Sequence, residues 1–108
     1  MPLSINTQVN SNGVNNVATG NMTSDAAAAV ATTFTLGFSP RVIRFINLTD
    51  RITDEWYSGM SSPGSIKTAA AGTQTLETTN GITVLGNTFT VPAGMLIASK
   101  VFVFVAYA

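Results

Sequence analysis

The alternation of apolar and polar residues around Gly86-Asn87 is the sequence feature that most constrains the fold. A two-residue turn at these positions gives four cross-strand pairs: Leu85 with Thr88, Val84 with Phe89, Thr83 with Thr90, and Ile82 with Val91. In this register one face of the hairpin is apolar and the other carries mainly threonine. The sequence therefore predicts a β-hairpin with one buried face.

Similar short apolar segments recur along the chain, separated by Gly, Pro and Asn. About seven or eight short strands at this spacing predict an all-β fold, a β-sandwich of jelly-roll type. Asn80-Gly81 is a further two-residue hairpin signal, and it predicts a turn that joins a strand at 73–79 to one at 82–85.

Residues 37–60 hold six of the ten charged residues and the only tryptophan. The segment 41–48 is apolar on both faces near its middle, which predicts a central strand, and a turn at Thr49-Asp50 then leads to a strand at 52–58. A two-residue loop places Arg44 opposite Glu55. A three-residue loop places Arg44 opposite Trp56 instead, and the sequence leaves both registers open.

The last strand is apolar on both faces. Val101, Val103, Val105 and Tyr107 lie on one face, while the other carries Phe102 and Phe104. Such a segment belongs in the middle of a sheet or between two layers. The alanine-rich segment 26–31 is compatible with a helix of one or two turns or with a strand, and the sequence does not decide between them.

Residues 1–24 are rich in Asn, Ser, Thr and Gly, and they sustain neither a helical nor a strand period. Asparagine weakens both kinds of regular structure. We therefore expect an extended N-terminal arm at 1–24, followed by a β-sandwich domain at 25–108.

The chain carries very little charge. Five Lys and Arg balance five Asp and Glu, and only 9% of the residues are charged while 45% are hydrophobic. Soluble domains usually contain about 25% charged residues. This composition favours a subunit whose surface is covered by partners, and it argues against nucleic acid and against an anionic membrane surface as partners.

The chain contains neither cysteine nor histidine. Disulfides, zinc sites of the usual ligand types, thiol nucleophiles and histidine acid–base catalysis are therefore excluded. Asp54 and Glu55 are adjacent carboxylates, but neighbours on a strand point to opposite faces and cannot act together on one substrate. We expect no catalytic, cofactor-binding or metal-binding residues, and hence no enzyme.

Two groups of residues carry a resemblance to a known class of proteins. The first runs from Gly37 through Val42 to Asn47 and then includes Glu55-Trp56 and Gly59-Met60. The second comprises the segments 81–84 and 88–91 with the aromatic last strand that ends in Ala-Tyr-Ala. Both resemble small β-rich structural proteins of tailed bacteriophages. The resemblance spans about residues 32–108 and consists of packing and turn residues.

The resemblance implies a capsid decoration or cement protein, also called a head auxiliary protein. Such a protein is made in the host cytoplasm, binds the major capsid protein on the outer surface of the virion head and bridges neighbouring capsomers. It is expected to form a homo-oligomer, a dimer or trimer. The candidate interface residues are Arg41, Arg51, Trp56 and Tyr57.

The alternative function is a tail-fibre or spike β-domain that binds a host surface glycan. In that role Trp56 and Tyr57 would stack on sugar rings. A simpler interpretation of the same two residues puts one in the core and the other at an interface, since adjacent strand residues face opposite sides.

Overall fold

The protein folds as one antiparallel sheet of eight strands that curls around its core, in a computed structural model that describes residues 16–108. The strands are β1 Val17–Thr23, β2 Thr32–Thr35, β3 Val42–Asn47, β4 Ile52–Tyr57, β5 Gly64–Thr68, β6 Gln74–Leu85, β7 Thr88–Val91 and β8 Val101–Tyr107. A short 3₁₀ turn at Ala93–Met95 precedes β8. The prediction of an all-β fold with about seven or eight strands is confirmed.

The strand order is β1-β8-β3-β4-β5-β6-β7-β2, so β1 and β2 are the edges of the described sheet. The twelve-residue β6 pairs with β5 through its first part and with β7 through its last part. It therefore joins two halves of the sheet. The large half contains β1, β8, β3, β4, β5 and the first part of β6, and the small half contains β7, β2 and the end of β6.

Aromatic side chains fill the space between the two halves. Phe34 of β2 and Phe89 of β7 each lie with their ring centroids 5.2 Å from that of Phe104 on β8. Phe45 of β3 packs against Phe102 of β8 at 5.5 Å. Burial of these rings, together with aliphatic neighbours such as Ile43, Ile82 and Val91, forms the hydrophobic core.

Two hairpins follow the registers that the sequence allows. The Gly86-Asn87 turn pairs Thr83 with Thr90, Val84 with Phe89, and Leu85 with Thr88, as predicted. Arg44 lies opposite Glu55, which is the register of the two-residue alternative. Pairing between β3 and β4 ends at Asn47 and Ile52, however, so the turn contains residues 48–51. The Asn47 side-chain oxygen accepts a hydrogen bond from the Asp50 amide at 3.0 Å and closes this turn.

The predicted hairpin at Asn80-Gly81 is wrong, because both residues lie inside β6. Neither adopts the positive φ that a type I′ turn requires. Gly81 is needed for a different reason: a Cβ there would lie 2.6 Å from the Gly64 Cα and 2.7 Å from the Ser65 nitrogen. The β5–β6 ladder shifts at this point, from Ser65 opposite Glu77 to Gly64 opposite Ile82. The glycine thus permits two backbones to touch where β6 leaves the large half.

The alanine-rich segment 26–31 forms neither the helix nor the strand that its composition allowed. The Asp25 carboxylate accepts a hydrogen bond from the Ala27 amide at 2.9 Å, which bends the chain after β1. Val30 is 71% exposed. A short helix is marginal without a packed face, and this segment offers only small side chains for packing.

The expected N-terminal arm extended to residue 24, but Val17–Thr23 is a strand of the sheet. All seven of its residues pair with β8, from Val17 opposite Tyr107 to Thr23 opposite Val101. The Ser24 hydroxyl continues this attachment, because it donates to the Ile97 carbonyl at 2.6 Å and accepts from the Lys100 amide at 2.9 Å. The remainder of the expected arm, residues 1–15, lies outside the described residues.

The close approach at Gly81 predicts a specific effect of substitution. Gly81→Ala should lower the free energy of unfolding by about 2 kcal/mol, because the added methyl forces the backbones of β5 and β6 apart. Gly94→Ala is the matched control, since no atom lies within 4 Å of the added Cβ. It should change the free energy of unfolding by less than about 0.5 kcal/mol. Urea denaturation of both variants is the measurement, and equal stability of the two would contradict the close approach.

Candidate functional site

One side of the large half faces away from the core and forms a broad exposed surface, which we call the outer face. Strand alternation places every second side chain on it. Its residues on β1, β8, β3 and β4 are Val17, Thr19, Asn21, Thr23, Val101, Val103, Val105, Tyr107, Val42, Arg44, Ile46, Thr53, Glu55 and Tyr57.

Apolar side chains run across the outer face in rows perpendicular to the strands. The first row is Val17, Tyr107, Val42 and Tyr57, each paired with the next across a strand boundary. Val17 is 57% exposed, while Tyr57 and Tyr107 are 38% and 39% exposed. Side chains paired in this way contact one another. The row is therefore a continuous apolar strip open to solvent.

A second row crosses the middle of the outer face and contains its charges. Its order across six strands is Thr19, Val105, Arg44, Glu55, Ile66 and Leu76. Arg44 and Glu55 are the only charged residues on the outer face of β1, β8, β3 and β4. Beside them, the Tyr57 hydroxyl donates a hydrogen bond to the Glu55 carboxylate. This hydrogen bond raises the pKa of Tyr57.

The four candidate interface residues do not form one cluster. Arg41 and Tyr57 are at one end of the β3–β4 hairpin, where the Arg41 carbonyl accepts the Ser58 amide at 2.7 Å. Arg51 is in the turn at the opposite end, about 20 Å away along the strand, and has a positive φ of 56°. Trp56 is 7% exposed and belongs to the core. Among these four residues, Tyr57 alone lies on the outer face.

The sequence did not show whether the valine face of β8 would be covered or exposed. β8 lies between β1 and β3, in the interior of the sheet as predicted. Only the side with Phe102 and Ala106 is covered by the small half, however, and Val101 is 41% exposed. The sequence signal for this exposed surface is that both sides of β8 are equally apolar. Its alternation alone could not show that one side would lack a covering layer.

A second apolar surface lies at the border between the edge strands β1 and β2, and we call it the seam groove. It has a volume of about 450 Å³ and is lined largely by the segment 22–30 with Thr32, Phe34, Leu96 and Phe102. Met22 and Phe102 point to the core side of the large half. Apart from Thr23 at the end of β1, which borders both, the seam groove and the outer face are therefore on opposite sides of this half.

A buried polar group lies on the core side of the large half. Asp54 is 4% exposed, and its carboxylate accepts a hydrogen bond from the Ser65 hydroxyl at 3.1 Å. Burial raises the pKa of Asp54, while the Ser65 hydrogen bond and the nearby charge of Lys67 partly oppose this change. Glu55 points to the other face, so these two carboxylates do not share a site.

Trp56 Nε1 is buried on the same core side of the large half and has no hydrogen-bond partner among residues 16–108. Within the same residues, no group of three or more Asp, Glu, His or Cys side chains is arranged to hold a metal ion. None of the helical segments described has the length and apolar character to cross a membrane.

Comparison of the chain with protein families, curated proteins and solved structures finds no match. The outer face and the seam groove therefore have to be interpreted from their own geometry and chemistry.

The raised pKa of Asp54 predicts a pH dependence of stability. The folded state holds this proton more tightly than the unfolded state, so the contribution of Asp54 favours folding at low pH. This contribution is lost as the pH rises from the unfolded pKa, about 3.9, through the higher folded pKa. Asp54→Asn should remove this decrease and leave the variant at least as stable as the wild type at pH 7. Urea denaturation between pH 3 and pH 7 measures the difference.

Ser65→Ala provides a control in the opposite direction. Without the Ser65 hydroxyl the pKa of Asp54 should rise further, and the loss of stability should extend to higher pH. Identical pH profiles for the wild type and Asp54→Asn would show that Asp54 is not perturbed by burial.

Proposed function

We propose that this chain is a capsid decoration protein of a tailed bacteriophage. In this role it binds the major capsid protein on the outer surface of the virion head and bridges neighbouring capsomers. The resemblance in residues 32–108 supplies the virion context. The role is one of contact, without an enzymatic reaction and without a cofactor, nucleic acid or membrane as partner.

The observation that carries this proposal is the presence of two separate apolar surfaces on one small molecule. The outer face exposes a strip of valines and tyrosines, and the largely exposed Val30 lines the seam groove. These surfaces lie on opposite sides of the large half. A protein that bridges two neighbours needs two such surfaces, and several weak contacts of this kind combine into firm attachment.

The low charge of the chain supports the same function. Large exposed apolar patches on monomeric proteins usually mark interaction sites. Here they occur with only 9% charged residues, so few surface charges oppose association.

A jelly-roll sandwich is the finer description of the fold that accompanies this proposal. The nested pairing of β1 with β8 and of β2 with β7 supports it, because the chain wraps around itself from both ends. The segment from β3 to β6 is instead a simple meander.

The glycan-binding alternative has less support. It depends on Trp56 and Tyr57 stacking together on sugar rings, but Trp56 is buried in the core. Tyr57 alone remains exposed, and its hydroxyl is bonded to Glu55.

Capsid stability tests the proposal directly. Capsids assembled with the protein should stay intact at a higher temperature, and at lower salt, than capsids without it, because bridges between capsomers oppose their separation. Light scattering and electron microscopy measure bursting and also show whether the protein covers the head or the tail. Equal bursting of both preparations would contradict a cementing role.

A substitution at the seam tests which surface takes part. Val30→Asp should reduce the number of copies bound per capsid, because a carboxylate is unfavourable in a contact from which water is excluded. Val30→Ala is the control, since it removes apolar area without adding charge. Circular dichroism of the free variants checks that both remain folded, and full occupancy by Val30→Asp would exclude the seam from the capsid contact.

A further inference from the structure

The outer face is large enough for a specific protein contact. Neighbouring strands are about 4.8 Å apart and seven residues extend about 20 Å, so six strands present roughly 500 Å² in projection. Side chains standing above the sheet make the accessible area larger. A standard interface buries about 800 Å² on each partner. The face is therefore of the right scale to be one half of a stable interface.

The arrangement of charges identifies the partner. Arg44 and Glu55 are directly opposite each other at the centre of the six-strand row, with Val105 beyond Arg44 and Ile66 beyond Glu55. This row has a positive charge on one side of its centre and a negative charge on the other. If a second copy is rotated by 180° about an axis through that centre, the positive charge of each copy lies opposite the negative charge of the other. A partner with net charge of one sign would match only one of the two charges.

From this we infer that the outer face is a two-fold interface with a second copy of this chain. The axis lies in the plane of the interface, parallel to the strands, between β3 and β4. Arg44 then faces the partner's Glu55, and Glu55 faces the partner's Arg44. Two sheets that pack face to face keep their strands within about 30° of alignment, which is compatible with this axis.

The same axis brings further side chains of these two rows together. Val105 lies over the partner's Ile66, and Thr19 lies near the partner's Leu76. In the first row Val42 lies over the partner's Tyr57, so apolar side chains meet apolar side chains. Leu76 is 65% exposed in the single chain and would be covered in the pair.

This inference concerns the free protein in solution and goes beyond the proposed capsid contact. In the dimer the outer faces hold the two chains together, and the two seam grooves, one on each chain, are the surfaces left to contact neighbouring capsomers. The inference and the proposed capsid contact can fail separately, because association of free chains is measured without any capsid. The seam groove remains open in such a dimer, since it lies on the opposite side of the large half.

Analytical ultracentrifugation of the full chain provides the test. The wild type should sediment as a dimer at micromolar concentration. Arg44→Glu and Glu55→Arg each place like charges opposite one another across the interface, so each variant alone should dissociate with a Kd at least about tenfold higher. An equimolar mixture of the two single variants should form a heterodimer, because the two negative charges of one chain then face the two positive charges of the other.

The double variant R44E/E55R restores opposite charges within each chain and should dimerise as the wild type does. Circular dichroism of each variant checks folding, because each single variant also places like charges opposite each other within one chain. A monomeric or trimeric wild type would overturn the inference. So would single variants that stay dimeric, or a mixture that does not associate more strongly than its components.

Discussion

The fold depends on the continuity of β6, because this strand belongs to both halves of the sheet. Its first residues extend the large half through β5, and its last residues begin the small half with β7. The two halves can then close over the phenylalanine cluster, where Phe104 contacts rings from both β2 and β7. Gly81 makes the crossing possible, because without a side chain its backbone can touch that of Gly64. Core formation and strand pairing are thus linked through one strand.

The sequence predicts local structure well where alternation and turn chemistry agree. Around Gly86 the alternation and the turn residues predict the same hairpin, and the structure has the expected register. At Asn80-Gly81 the dipeptide suggested a turn, but a contact with Gly64, distant in sequence, determined the backbone instead. Such contacts are not visible in a local pattern. Trp56 and Tyr57 were correctly expected on opposite faces, although the pattern did not show which of them would be buried.

The surface was harder to predict than the core, because both sides of β8 are equally apolar. Which side becomes buried depends on where the small half docks. The small half covers the phenylalanine side and leaves the valine side open. Arg44 was visible in the sequence as an interruption of an apolar segment. Its position at the centre of a six-strand row depends on the pairing of β8, β3, β4 and β5, which the sequence did not establish.

The apolar surface lies on the face of the sheet and not on its edges, which would limit how far the proposed self-association can proceed. The edge strands are poorly suited to adding further strands: β2 has only four residues, and β1 carries Gly20 and Asn21 at its centre. Strand addition at an edge can be repeated without end and leads to fibres. A two-fold contact between faces uses the same surface on both molecules and is then complete. The proposed two-fold contact would therefore keep this sparingly charged protein as a small, finite particle.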